Sequence, residues 1–198
     1  MEKRNWKHIV TLKQRMVLCL AAFFAAFALQ LALNGYQARA VQQVQDDQMG
    51  NFNAISRFQG GVESSISILE AYRWENGETE EMLEKLQAAC STSNAWLWRI
   101  RSNMDGLQNV SDEQWVLYGA VETTYGSYNT LLEELESYLS SGQEAKASQL
   151  YYNKVSVCGG YLSQYTMQLL KASILDAQTT YTEISELGER IALMQIVV

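Results

Sequence analysis

An all-α fold is what this sequence predicts: an N-terminal transmembrane helix continuing into an antiparallel up-down-up-down four-helix bundle with long first and fourth helices. Three observations carry that expectation. No proline occurs in 198 residues, although proline normally supplies roughly 5% of a chain and breaks helices from within. Apolar residues recur at steps of three and four along most of the length. Three turn signals, Asn76-Gly77, Asp105-Gly106 and Ser140-Ser141-Gly142, separate four helical stretches.

Charge divides the chain in order. Residues 1–15 hold five basic side chains against one acidic, a formal +4, and residues 16–198 hold ten against 21, a formal −11. The overall −7 excludes nucleic acid as a partner, because phosphate binding needs a basic face. Residues 1–15 read as a cytoplasmic basic head and 16–38 as the membrane helix. From Met16 to Ala38 no residue is charged, and Met16–Leu33 contains one polar side chain, Gln30. Helix of that length spans roughly 34 Å, enough for a ~30 Å hydrocarbon core. Cations just before it place the N-terminus in the cytoplasm and the acidic remainder outside. A cleaved signal peptide offers the same basic start, with Ala38-Arg39-Ala40 as its cleavage site, but its apolar core normally runs only ~7–15 residues. A buried core helix is the third reading. At the other end, Arg190 is followed by IALMQIVV. Eight residues do not span a bilayer, so 191–198 reads as the opening turns of a second membrane helix; a sticky end of a bundle helix is the alternative.

Between these ends, residues 39–190 read as an extracytoplasmic bundle. The first helix continues from the membrane through Val41, Val44, Phe52, Ile55, Phe58, Val62, Ile66 and Leu69 to a stop near Glu75-Asn76-Gly77. The second starts near Thr79, where Glu80 and Glu81 suit the helix dipole, and ends at Asp105-Gly106. Ser111 with Gln114 forms a capping box for the third, which carries Trp115, Tyr118, Tyr125, Tyr128, Leu132, Leu135 and Leu139 and stops at Ser140-Ser141-Gly142. The fourth runs from about Gln143 to the terminus. Short connections between long helices imply antiparallel neighbours. Residues across such a turn share a level when their numbers sum to a constant, here about 154, 216 and 283. On that scale the first and fourth helices project some 15–20 residues, roughly 22–30 Å, beyond the other two. The expectation is a bundle on a two-helix stalk.

This layout resembles the extracytoplasmic sensor modules of bacterial transmembrane sensor histidine kinases and chemoreceptors. The residues that carry the resemblance are the MEKRNWKHIVTLKQR head, the 16–33 anchor, four helices without proline, and a fourth helix returning as GERIALMQIVV. It covers the whole chain but is architectural, with no diagnostic short motif. It implies a homodimer in a bacterial cell membrane and a second membrane helix leading to a kinase or chemotaxis region, and no such output machinery is present in these residues. His8, the only histidine, lacks a phosphoacceptor's surroundings and reads as an interfacial side chain.

Catalysis is not expected. No Cys/His cluster, phosphate-binding loop or nucleophile elbow occurs, and the lone histidine lies in the head, so no Ser/His or Cys/His pair forms outside. No cofactor is implied. The sharper signal is a group of arginines and aromatics: Trp96, Trp98, Arg99 and Arg101 fall within six residues. The level sums bring Arg57, Trp115, Tyr118 and Tyr165 to the same layer. Guanidinium forks hold carboxylate or phosphate, and aromatic faces add stacking, so this layer is the candidate site for a small anionic or aromatic ligand. Exposed arginines stacked on tryptophans that seal the core are the plainer reading, because 96, 98, 99 and 101 do not share one helix face. Glycine doublets Gly60-Gly61 and Gly159-Gly160 lie at one level, with Gly119 and Gly126 near them. They read as close helix packing or as a hinge through which the first and fourth helices shift. Cys90 and Cys158 also share a level, as a disulfide or as two small core side chains. Glu75, Glu78, Glu80, Glu81, Glu84, Glu133, Glu134 and Glu136 gather at the far tip, a solvated acidic end or, less plainly, a divalent-cation site. Asn109-Val110-Ser111 matches a glycosylation acceptor.

The sequence thus points to a signal-sensing module that passes ligand or partner binding inward by displacing membrane-continuous helices. A histidine kinase is the output expected from the resemblance. A chemoreceptor sensor domain and a non-signalling membrane-anchored helical scaffold are the alternatives.

Overall fold

A computed structural model describes residues 12–72, 79–107 and 110–197. Residues 1–11 of the basic head, with His8, the Glu75-Asn76-Gly77 turn and Glu78, Asn109 and Val198 lie outside the described residues. Five α-helices and one π turn make up the fold, and no strand occurs among the described residues: α1 (Leu12–Ala71), α2 (Thr79–Gly106), α3 (Asp112–Ser140), α4 (Glu144–Leu150), the π turn Tyr151–Val155, and α5 (Ser156–Val197). The last three are consecutive, so four helical rods result. Two compact units divide the chain, Met1–Gln43 and Val44–Val198.

In the first unit α1 carries the apolar segment, and its side chains are exposed from Met16 through Leu31. Among the described residues one helix is long and apolar enough to cross a membrane, and it is this one. In water, so continuous an exposed apolar surface would be a liability; in lipid it is the expected outer face of a spanning helix.

The second unit is a helical bundle. Ile55, Phe58, Val62 and Leu69 of α1, Leu86, Leu97 and Ile100 of α2, Val121, Tyr128 and Leu135 of α3, and Val155, Leu162 and Leu169 of the last rod form one buried cluster. Specific contacts cross it. Phe58 meets the Tyr125 ring edge-on at 5.2 Å, Ser65 Oγ and Tyr128 Oη share a hydrogen bond of 3.0 Å, and the Cys158 thiol lies 3.7 Å from Thr124 O. Cys90 and Cys158 are both free thiols.

Turn chemistry explains the helix ends. Gly142 has φ +69°, a left-handed conformation that suits glycine. It lets Gly142 N–H reach Leu139 O at 3.0 Å and Gln143 N–H reach Tyr138 O at 2.8 Å, the paired bonds of a Schellman stop. At the start of α3, Ser111 Oγ accepts from Gln114 N–H at 3.2 Å, as a capping box requires. The reciprocal half is different. Ser111 N–H donates to Asp176 Oδ2 of α5 at 3.1 Å, and Gln114 turns inward to 1% exposure.

That exchange helps make one end of the interior polar. Gln48, Asn51, Gln114 and Ser173 are all buried. Asn51 Nδ2 donates to Ser173 Oγ at 3.3 Å, while Gln48 Oε1, Asn51 Oδ1 and Gln114 Oε1 have no hydrogen-bond partner. A buried unsatisfied acceptor costs about 1–3 kcal/mol. Gln114→Met, of similar shape, is therefore expected to stabilise the bundle by about 1 kcal/mol, read as a higher urea midpoint of the full chain. A lower midpoint would reveal a partner for that oxygen.

Both glycine doublets lie within unbroken helix. A Cβ at Gly61 would overlap Ser93 Oγ of α2, and one at Gly159 would stand 3.1 Å from Ile66 Cδ1 and 3.3 Å from Tyr128 Cε2, whereas Gly60 and Gly160 face open space. One glycine of each pair thus permits close helix approach. Gly61→Ala is expected to destabilise the bundle by about 1–3 kcal/mol through overpacking, although alanine is the better helix former. Adding Ser93→Ala should recover most of the loss, and a double-mutant cycle by urea unfolding reads the coupling.

Candidate functional site

The side of the bundle between α2 and α3 is open. Two matching patterns line it, because residues three and four apart share a helix face: Asn94, Trp98, Arg101 and Asp105 from α2, and Tyr118, Glu122, Tyr125 and Asn129 from α3. With Leu97 and Gly126 they surround a groove of about 540 Å³. Past Asn94, Tyr125 and Asn129, which belong to both, a second hollow of about 280 Å³ continues toward Cys90, Glu133 and Glu136 over Leu86 and Leu132. The first volume lies within the usual small-molecule range of roughly 300–1,000 Å³.

Three of the eight arginine and aromatic candidates meet here: Trp98, Arg101 and Tyr118. Trp98 stands 76% exposed at the lip, and Trp115 packs edge-on against Tyr118 at 6.2 Å. The other four are elsewhere. Trp96 and Tyr165 are half-buried and pack on the core, while Arg57 and Arg99 are exposed and outside the groove lining. The helical period explains the division. Trp96 lies two residues from Trp98, about 200° around α2, and Arg99 lies about 100° away.

The electrostatics differ from what the arginines alone imply. Arg101 Nη1 faces Glu122 Oε1 at 3.5 Å, and Tyr118 Oη donates to the same oxygen at 3.1 Å. Burial, then the Glu122 charge, pushes the Tyr118 phenol up to about 12, partly offset by Arg101, so it remains a donor at neutral pH. The guanidinium is already matched by a carboxylate. Asp105, Glu133 and Glu136 also line the two hollows and form no ion pair among the described residues. The lining therefore carries one basic and four acidic side chains, a formal −3. On the floor, Tyr125 Oη donates to Cys90 O at 2.8 Å, and burial, then Glu136, raises the Cys90 thiol to about 11, leaving it protonated. Asn129 Oδ1 is buried without a hydrogen-bond partner.

Glu122, Asn94 and Asn129 were missed by motif search, since a lone carboxylate or amide carries no signature. The signal available was the repeated spacing of four, three and four on two neighbouring helices. No group of His, Cys, Asp or Glu suited to a metal ion occurs among the described residues. No protein-family model matches the chain, and neither a curated protein nor a solved structure does.

Proposed function

We propose that this chain is the extracytoplasmic signal-sensing module of a membrane receptor, with a sensor histidine kinase as its output, and that ligand binding in the α2–α3 groove biases the packing of membrane-continuous helices. One observation carries the reading: a single helix, Leu12–Ala71, holds both the exposed apolar segment and the buried positions Asn51, Ile55, Phe58 and Val62. A change in how those positions pack acts on the same continuous rod that enters the lipid. The bundle is read as up-down-up-down, supported by contacts close to the level sums: Gly61 with Ser93, Tyr125 with Cys90, and Thr124 with Cys158. A ligand does work in such a device only through unequal affinity for two packings.

The test uses the full chain in bacterial membranes, with the native cysteines replaced by alanine. A single cysteine at the exposed Ser141 is expected to react with an impermeant maleimide in intact cells, and one at Asn5 only after lysis. The reverse pattern, or recovery of the mature chain without its first 40 residues, overturns the reading. A second measurement separates receptor from scaffold. With Asn51→Cys and Ser173→Cys together, the rate of cross-linking between α1 and α5 should change several-fold when a groove ligand saturates, and an unchanged rate favours the scaffold.

A further inference from the structure

At the end of the bundle where α2 turns into α3, three helices bring pairs of polar residues to one level. Each pair is spaced three residues apart, the separation of neighbours on a helix face: Gln48 and Asn51 on α1, Ser111 and Gln114 at the start of α3, and Ser173 and Asp176 on α5. Two hydrogen bonds fix the register. Asn51 Nδ2 donates to Ser173 Oγ at 3.3 Å, which puts Gln48 level with Asp176. Ser111 N–H donates to Asp176 Oδ2 at 3.1 Å, which puts Gln114 level with Ser173. The two registers agree, so all six residues fall within one helical turn, about 4.5 Å of height.

What this layer lacks is donors. Gln48 Oε1, Asn51 Oδ1 and Gln114 Oε1 are buried without a hydrogen-bond partner, and Ser173 Oγ already serves as an acceptor. Among the described residues of the bundle only one other buried side-chain atom is unmatched, Asn129 Oδ1. Three of four such oxygens thus coincide in a single turn. One water brings two O–H donors and leaves a third oxygen unmatched, whereas a cation meets all of them at once.

The donor set selects among cations. Imidazole and thiolate, the ligands of zinc and copper, are absent from the six residues. Calcium sites draw on several carboxylates, and this layer holds one, Asp176. Neutral amide oxygens with a hydroxyl and a single carboxylate balance one positive charge, and neutral oxygens that replace hydration water are how alkali cations are held. Apolar side chains close the layer. Leu169 and Ala172 of α5 and Met104 of α2 are buried, and a Cβ at Gly50 would lie 4.0 Å from Asn103 Nδ2, which sets Met104 at this height. Such walls favour a bare ion over an amine with a carbon skeleton.

We propose that this layer binds a dehydrated monovalent alkali cation, coordinated by Gln48 Oε1, Asn51 Oδ1, Gln114 Oε1, Ser173 Oγ and the Asp176 carboxylate, and that the ion clamps α1, α3 and α5 together. The site is separate from the α2–α3 groove and does not rest on the sensing function proposed above.

The experiment follows thermal unfolding of the full chain in dodecyl maltoside by far-UV dichroism, at one ionic strength, with NaCl, KCl, MgCl₂ or N-methylglucamine chloride as the only salt. Sodium or potassium is expected to raise the midpoint by about 2–4 °C over N-methylglucamine, saturating with concentration as mass action requires, and magnesium should give no such rise. Asp176→Asn, which keeps an acceptor for the Ser111 amide, and Gln114→Met should each remove more than half of the rise. In N-methylglucamine Gln114→Met should still unfold at or above the wild-type midpoint, which shows that it is folded. Broadening of the ²³Na resonance by the wild type, lost in Asp176→Asn, reads binding directly. Equal midpoints in all four salts, or a rise that both variants retain, overturn the proposal and leave the layer to water.

Discussion

Phe58→Ala is expected to cost the bundle about 3–5 kcal/mol, the range for deleting a fully buried phenyl ring. The side chain is 0% exposed, and its ring meets the edge of Tyr125 at 5.2 Å. Tyr125 in turn forms part of the groove floor and holds the Cys90 carbonyl. A void at Phe58 therefore opens directly beneath the candidate site. Urea unfolding followed by far-UV dichroism measures the loss, and Phe58→Leu should retain much of the stability because it leaves a smaller cavity. Affinity for any groove ligand should fall with Phe58→Ala even in the absence of urea. A loss below about 1 kcal/mol would show that neighbouring side chains collapse into the space.

The second large effect belongs to the apolar segment. Phe27→Arg places a cation near the middle of 16–38, at a side chain already 51% exposed. At the centre of a spanning helix an arginine costs about 2.5–3.5 kcal/mol of insertion free energy. The fraction of full chain resisting carbonate extraction from membranes should fall accordingly, and Phe27→Leu should leave it unchanged. If both variants partition as the wild type does, residues 16–38 are not the anchor. Charge substitution at Ser141, in the α3–α4 turn, serves as the comparison and should have no effect on extraction.

Legibility differed by the range of the interactions involved. Helix ends were readable because they are local. Ser111 caps α3 through its own neighbour Gln114, Gly142 stops it with bonds inside one turn, and α2 starts at Thr79 and ends at Gly106, where glutamates and an Asp-Gly pair mark its limits. What escaped was decided by residues far apart in the chain. Asp176 takes the Ser111 amide from 65 positions away, so the Gln114 that looked like a capping partner became an interior amide. Glu122 compensates Arg101 across two helices, so an arginine-rich stretch became one wall of an acidic groove. The division of Trp96 from Trp98, and of Arg99 from Arg101, was implicit in the helical period, but choosing which face meets α3 required the packing. The π turn at Tyr151–Val155 had no marker of its own. Its trace is that Ala147, Tyr151, Val155 and Gly159 are all buried, a run of fours that drifts off the face of an ideal helix.

A π turn is an α-helix that has absorbed one surplus residue. Residues on either side of Tyr151–Val155 keep their own phase toward the core, with Ala147 on one flank and Leu162 on the other, and the misfit is confined to five positions. It follows that the rod can lose one amino acid there, closing to ordinary geometry, without rotating anything above or below. The same deletion at residue 165 would turn every later side chain by about 100°. A one-residue deletion is thus absorbed at Tyr151–Val155, within the bundle rather than in a loop.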